Sequence, residues 1–161
     1  MIRNILYFIT NYLRVRVITG DNHEPYLERY RLFGFFGRAV FIHRFVASDP
    51  ERGLHDHPWQ RACSLIVSGG YCEIRPEKVR VVRAPAINWI RGDDFHRVVL
   101  DNQQEAWSIF IHGKRVKGWG FQREGQFFPY TTSATDHTTK NWWKSAPRGR
   151  DLRRPAVTNT C

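Results

Sequence analysis

The chain opens with apolar residues at helical spacing and then changes period. Ile2, Ile5, Leu6, Ile9 and Leu13 recur three and four positions apart, which puts their side chains on one face of an α-helix. A short amphipathic helix is therefore predicted at the start, its apolar stripe covering one end of the domain. From Arg14 onward the period is two. Residues 14–17 alternate, and 26–33, 39–46, 63–67, 71–75, 79–82, 87–90, 97–100 and 107–112 are strand-sized apolar runs. Turn signals separate most of them: Gly69-Gly70, Pro76, Ala84-Pro85, Gly92-Asp93-Asp94, Asp101-Asn102 and Gly113-Lys114. Many short, regularly spaced strands with no second long helical pattern predict an all-β sandwich or barrel and argue against a βαβ architecture. Past about residue 131 the pattern is lost to Thr, Ser, Asn, Lys and Arg. That predicts an irregular, loosely ordered tail, in which Trp142 and Trp143 are candidate anchors to the body or to a partner. The expected organisation is 1–20 as a helix and strand packed on the barrel, 21–130 as the barrel, and 131–161 as the tail.

Composition narrows the class. A chain of 161 residues suits one domain, and 42% hydrophobic with 14% aromatic residues is enough for a folded core. Lys and Arg exceed Asp and Glu by 25 to 15, a formal charge of +10, and such a field attracts phosphate, carboxylate, nucleotide or nucleic acid. Part of the excess is local: residues 140–154 carry Lys140, Lys144, Arg148, Arg150, Arg153 and Arg154 against Asp151. Nucleic acid or a nucleotide is therefore one candidate partner of the basic surface and tail. Cys63, Cys72 and Cys161 are an odd count without a Cys-x-x-Cys pair, which suggests neither a disulfide framework nor a zinc knuckle and fits a reducing cytoplasm. The first helix is interrupted by Arg3, Asn4, Thr10 and Asn11, so neither a signal peptide nor a membrane span is read there. Its polar face is not strongly basic, so docking on the body is expected and no membrane partner.

The densest chemistry is Gly53-Leu54-His55-Asp56-His57-Pro58-Trp59. Histidines two apart on an extended chain point to one side, so their rings can converge on one ion. A third histidine follows a tight turn in Gly92-Asp93-Asp94-Phe95-His96-Arg97, where neighbouring strands of a barrel bring it alongside the first two.

These residues resemble the cupin superfamily. Gly53, His55, His57 and Gly69 match its first motif, and Pro85, Gly92 and His96 match its second more loosely, over roughly 26–112. The resemblance implies a double-stranded β-helix, or jelly-roll barrel, holding a divalent metal on His55, His57 and His96. Where the family places an acidic ligand, this chain has Arg61 and Ala62, and a protonated guanidinium has no lone pair to offer. The implied donor set is three neutral imidazoles with open positions. The local text is also similar to the three-histidine thiol dioxygenases: His55-Asp56-His57 with Cys63, His96-Arg97-Val98, then Ser108 to His112, with Phe110 where that family has a histidine and His112 where it has a tyrosine. That likeness favours Fe(II), with Zn(II), Mn(II) or Ni(II) as alternatives. Tyr30-Arg31, Gly69-Gly70-Tyr71 and Trp119-Gly120-Phe121 further resemble a group of small cupins of bacteria and their phages, a likeness that implies fold and not substrate.

Other side chains are candidates around the ion. His112 ends the last clear strand, where a barrel mouth opens, and is a candidate general acid or base; His43 reads as an ordinary, hydrogen-bonded strand histidine. Arg29 and Arg31 share a strand face and Arg61 follows the histidine pair, so each is a candidate bidentate clamp on a substrate carboxylate or phosphate, against the alternative of a solvated strand edge. Cys63 joins them as a candidate substrate contact, against the alternative of a small buried apolar residue. The leading expectation is a non-haem Fe(II)-type dioxygenase acting on a small anionic molecule. Its alternatives are a non-catalytic barrel that binds a nucleotide-like ligand, nucleic acid or protein, and a zinc-dependent or metal-free isomerase, epimerase or lyase. The resemblance also allows a homodimer.

Overall fold

The computed structural model describes residues 1–130 and 141–153. After the helix α1 (Ile2–Tyr12) come β1 (Val15–Thr19), β2 (Pro25–Phe35), β3 (Arg38–Phe45), β4 (Leu54–His55), β5 (Arg61–Ser68), β6 (Gly70–Arg75), β7 (Lys78–Arg83), β8 (Ala86–Arg91), β9 (Arg97–Leu100), β10 (Ala106–His112), β11 (Gly120–Arg123) and β12 (Gln126–Pro129). A single helical turn, α2 (Gly149–Leu152), closes the described chain. The alternating runs thus become strands, each within two residues of its expected ends. The pairs β4 and β11–β12 lack a long apolar run and were not foreseen.

One antiparallel sheet runs β1-β2-β3-β10-β5-β8. Facing it are β12-β11-β4 and β7-β6-β9, which are stitched together where His55 and His96 exchange both backbone hydrogen bonds at 2.9 Å. The two sheets make the jelly-roll barrel. Inward positions on β5, Ala62, Ser64 and Ile66, alternate with outward Arg61, Cys63 and Leu65, as the two-residue period of a strand requires. The interior holds two apolar clusters, one around Leu27, Phe45, Ile66, Tyr71, Val98 and Leu100, the other around Phe41, Ala62, Ile90 and Phe110. Between them lies a cavity of about 800 Å³.

A third cluster lies outside the large sheet, where Leu6 of α1 packs with Val15, Tyr30, Ile42 and Trp107. Here the sequence expectation is corrected. The helix forms, but its apolar stripe does not face the body: Leu6 and Thr10 are buried, while Ile2, Ile5 and Ile9 are exposed. Polar anchors decide the rotation. The Tyr7 hydroxyl donates to Glu105 Oε2 at 2.6 Å, Arg3 pairs with Glu105 at 3.3 Å, and Arg153 donates to Thr10 Oγ1 at 2.9 Å. A mostly buried carboxylate left without donors costs more than exposing a few aliphatic side chains.

Part of the expected tail is docked. Val15 N donates to Pro147 O, Gly149 N to Leu13 O, and Arg14 Nη1 to Ala146 O. Trp142 packs against the second core cluster, and the Arg31 guanidinium lies 3.7 Å from the centre of the Trp143 ring. The rest of the expected tail, 131–140 and 154–161, lies outside the described residues.

Candidate metal centre

The metal-ligating atoms of His55, His57 and His96 lie within 4.8 Å of one another. The backbone imposes this. Gly53 turns the chain at φ +97, where an added Cβ would meet Gln122 O at 2.5 Å, and only two residues of β4 pair before Pro58 ends the run. His57 extends the same line by donating its backbone N–H to Gly92 O at 3.1 Å. Asp56, between the two histidines, faces the other way: Oδ1 accepts from Gly120 N at 2.7 Å and Oδ2 from Lys117 Nζ at 2.6 Å. That carboxylate locks the strand so that its neighbours on either side face the cavity. His96 enters from the residue just before β9, held to His55 by the backbone pair.

Hydrogen bonds then settle which nitrogens are available. His96 Nδ1 lies 2.8 Å from Glu73 Oε1. Glu73 is fully buried on β6, and it also accepts from Arg75 Nε at 2.9 Å and Asn88 Nδ2 at 2.8 Å. Burial alone would raise its pKa, but the hydrogen bonds from His96, Arg75 and Asn88 outweigh it and hold the carboxyl well below the usual range. Facing a carboxylate, His96 Nδ1 must carry a hydrogen, which makes Nε2 the nitrogen available to an ion in the cavity. That Nε2 points at His57 Nε2, 2.7 Å away. Burial, with the charge of neighbouring histidines, keeps His55 and His57 well below their ordinary pKa, so both offer neutral rings at physiological pH. Three imidazoles, one oriented by a carboxylate behind it, are a donor set suited to a divalent transition metal. Asp49 Oδ2, 3.7 Å from His55 Nδ1, is too far to do the same for that ring.

Around the centre, the candidate residues separate. Arg29 lines the cavity: its Nε donates to His43 Nε2 at 3.0 Å, and its guanidinium lies over Phe41 at 5.5 Å and Trp59 at 6.0 Å. Among the described residues no carboxylate pairs with it. Burial and the nearby charge of Arg16 pull its pKa down to about 10. His112 also lines the cavity, stacked 4.3 Å from Trp59; its Nδ1 lies 2.7 Å from Gly113 O, so Nδ1–H donates there and Nε2 is left free. Burial takes its pKa down to about 4. The remaining three lie elsewhere. Arg61 is exposed on the outward parity of β5, beside a separate recess with Arg91 and Lys117. Cys63 shares that outward parity, opposite the exposed Trp89. Arg31 lies next to a register shift in β2 and holds Trp143 instead of lining the cavity.

Glu73 and Arg16 were not singled out from the sequence, and His43 was read there only as a hydrogen-bonded strand histidine. Their parity was the available signal: Glu73 shares a strand face with Tyr71, His43 with Phe41 and Phe45, and a polar residue amid inward apolar ones marks a buried polar partner or a lumen group.

No family model and no curated protein matches the chain. Solved structures do. A cupin-2 domain protein from Rhodospirillum rubrum aligns with a TM-score of 0.55 at 13% identity, covering 70% of this chain and 76% of its own. A sugar phosphate isomerase of the cupin superfamily from Silicibacter pomeroyi aligns at 0.51 and 14%, covering 70% and 81%. The Fe(II) form of HppE aligns at 0.52 and 12%, covering 63% of this chain and just over half, 56%, of its own. The chain has the cupin fold. Within this fold the three histidines lie on the inner surface of the barrel, where the two pieces of its smaller face meet. No described helix is long and apolar enough to cross a membrane.

Proposed function

We propose that this cupin is a metal-dependent enzyme acting on a small anionic substrate, with the ion held by His55, His57 and His96 and the anion by Arg29. One observation carries the reading: three imidazoles converge in a cavity whose wall presents a guanidinium with no carboxylate partner among the described residues. Neutral donors leave the charge of a divalent ion uncompensated, and Arg29 adds to it, so an anion is the guest that neutralises the cavity. A bound metal would supply Lewis acidity, and iron would add oxygen chemistry. Two of the aligned structures are called Fe(II) HppE and a sugar phosphate isomerase, names consistent with a metal and with an anionic substrate.

This chain's own residues divide the work. His43 occupies Arg29 Nε and so turns the outer edge of the guanidinium to the ligand. His112 is neutral at pH 7 with Nε2 free, as required of a general base. Trp59 lies between His57, His112 and Arg29 and shields them from water. We favour Fe(II) and oxidation, because an all-imidazole donor set suits iron and leaves positions open for both substrate and dioxygen.

Elemental analysis of protein purified without chelator tests this, followed by oxygen-uptake measurements with a panel of small phosphates, phosphonates and carboxylates. Stoichiometric iron with anion-dependent oxygen uptake is the expected result. Stoichiometric zinc would redirect the reading to isomerase or lyase chemistry, and a wild-type chain that binds no metal would end it.

A further inference from the structure

A row of polar side chains crosses the inner face of the large sheet. Strand pairing sets Arg16 of β1 opposite Arg29 of β2, Arg29 opposite His43 of β3, and His43 opposite Ser108 of β10. The flanking positions are apolar, with Ile18, Leu27 and Phe45 on one side and Phe41 and Phe110 on the other. Arg16 and Arg29 both line the cavity. Like charges directly opposite each other on neighbouring strands repel, and these two are close enough that the charge of Arg16, after burial, helps pull the pKa of Arg29 down. The two carboxylates that line the cavity among the described residues are engaged elsewhere, Asp21 with Arg52 Nη1 at 2.9 Å and Asp49 with Val98 N at 2.9 Å. His43 accepts from Arg29 Nε at 3.0 Å through its own Nε2, so it is a neutral ring and brings no negative charge.

Two guanidiniums side by side select a guest with two negative charges. A carboxylate brings one charge and two oxygens in a single plane, which satisfies one guanidinium fork. A phosphoryl group brings close to two charges and three terminal oxygens that point in different directions, so a single group can meet both arginines. We infer that Arg16 and Arg29 together form a phosphoryl-binding subsite and that the substrate is a phosphate monoester or phosphonate, which builds on the metal-dependent reading above and fixes the charge of its substrate. With Nε committed to His43, Arg29 keeps both Nη groups for that guest. The subsite stands apart from the metal centre. Trp59 lies between them, its ring 6.0 Å from the Arg29 guanidinium and stacked on the His57 ring at 5.4 Å. The phosphoryl group is therefore held about an indole's width from the three histidines, and the other end of the substrate is the one that reaches the ion.

Calorimetric titration of the purified, metal-containing protein with methylphosphonate and with methanesulfonate, at about pH 8.5 and equal ionic strength, separates charge from shape. Both ligands carry a methyl group on a tetrahedral head with three oxygens, but only the phosphonate is a dianion there. It should bind about tenfold or more tightly than the sulfonate. Arg16→Met should bring the two affinities within about threefold of each other while methanesulfonate still binds through Arg29. Arg16→Gln, which keeps a polar group beside Trp142, reads the same ratio should the methionine variant fail to fold. Equal affinities in the wild-type chain, no binding of either ligand, or a preference that a folded variant keeps overturns the proposal. Repeating the titration after a chelator has removed the metal separates the two sites. A preference that persists without the ion supports the arginine pair, whereas one lost with the ion assigns the dianion to the metal and overturns the pair, leaving the metal-dependent reading in place. A wild-type chain that shows the preference but binds no metal does the reverse.

Discussion

His96 and Glu73 form a closed pair, ring Nδ1 to carboxylate Oε1 at 2.8 Å, inside the barrel wall. The carboxylate fixes which nitrogen of His96 faces the cavity and raises the basicity of that nitrogen. Glu73→Gln keeps the shape but removes the charge, so His96 loses its preference between tautomers. Metal affinity should fall by about 10- to 100-fold, measured by chelator competition. An unchanged affinity would show that Glu73 serves only the arginines beside it.

Arg29 lines the cavity beside His43, apart from the three converging histidines. Arg29→Met should leave metal stoichiometry unchanged and weaken binding of an anionic ligand by about 2 kcal/mol or more, the usual scale for a charge-assisted bidentate contact. Calorimetric titration of inorganic phosphate into the metal-loaded protein reads this. Arg61→Met, on the outward face, should leave the same titration unaltered.

The buried histidines make stability depend on pH. His43, desolvated and next to Arg29, has its pKa well below the ordinary value, and burial takes His112 down to about 4. Both depress the folded value, so each contributes fully above the unfolded pKa and loses its contribution as pH falls from there toward the folded value. Each group then costs about 1.4 kcal/mol per pH unit below roughly pH 6.5. The urea midpoint should therefore drop between about pH 7.5 and pH 5.5, and His43→Gln, which can still accept from Arg29, should show a shallower drop.

The docking of 141–153 depends on an absent side chain. A Cβ on Gly149 would meet the backbone of Thr10 and the ring of Tyr30. Gly149→Ala should cost about 1–3 kcal/mol, the usual penalty for overpacking. Because Trp142 and Trp143 line the cavity on the same segment, their fluorescence should report the release, while the metal content stays the same.

Much of the barrel and the centre of the site were legible in the primary structure. Strand periodicity is local, so β2, β3 and β5–β10 could be read where they lie, and the His55-Asp56-His57 spacing states its geometry within three residues. The third ligand needed the expectation of a barrel, and the exchange of hydrogen bonds between His55 and His96 is what makes it a neighbour. Other assignments were open to neither route. Arg29, Arg31 and Arg61 look alike in the sequence, yet only Arg29 reaches the lumen, because β5 presents Arg61 outward and β2 shifts register beside Arg31. Glu73, 23 positions before His96, becomes its partner only through the β6–β9 pairing.

The order of residues by itself determined the strands, the convergent histidine pair and the basic charge, since each depends on spacing along the chain or on composition. Tertiary structure decided the tautomer of His96, the choice of arginine and the face that α1 turns outward. Each of those is a competition among buried polar groups for partners far apart in sequence, and its outcome depends on which strands lie side by side.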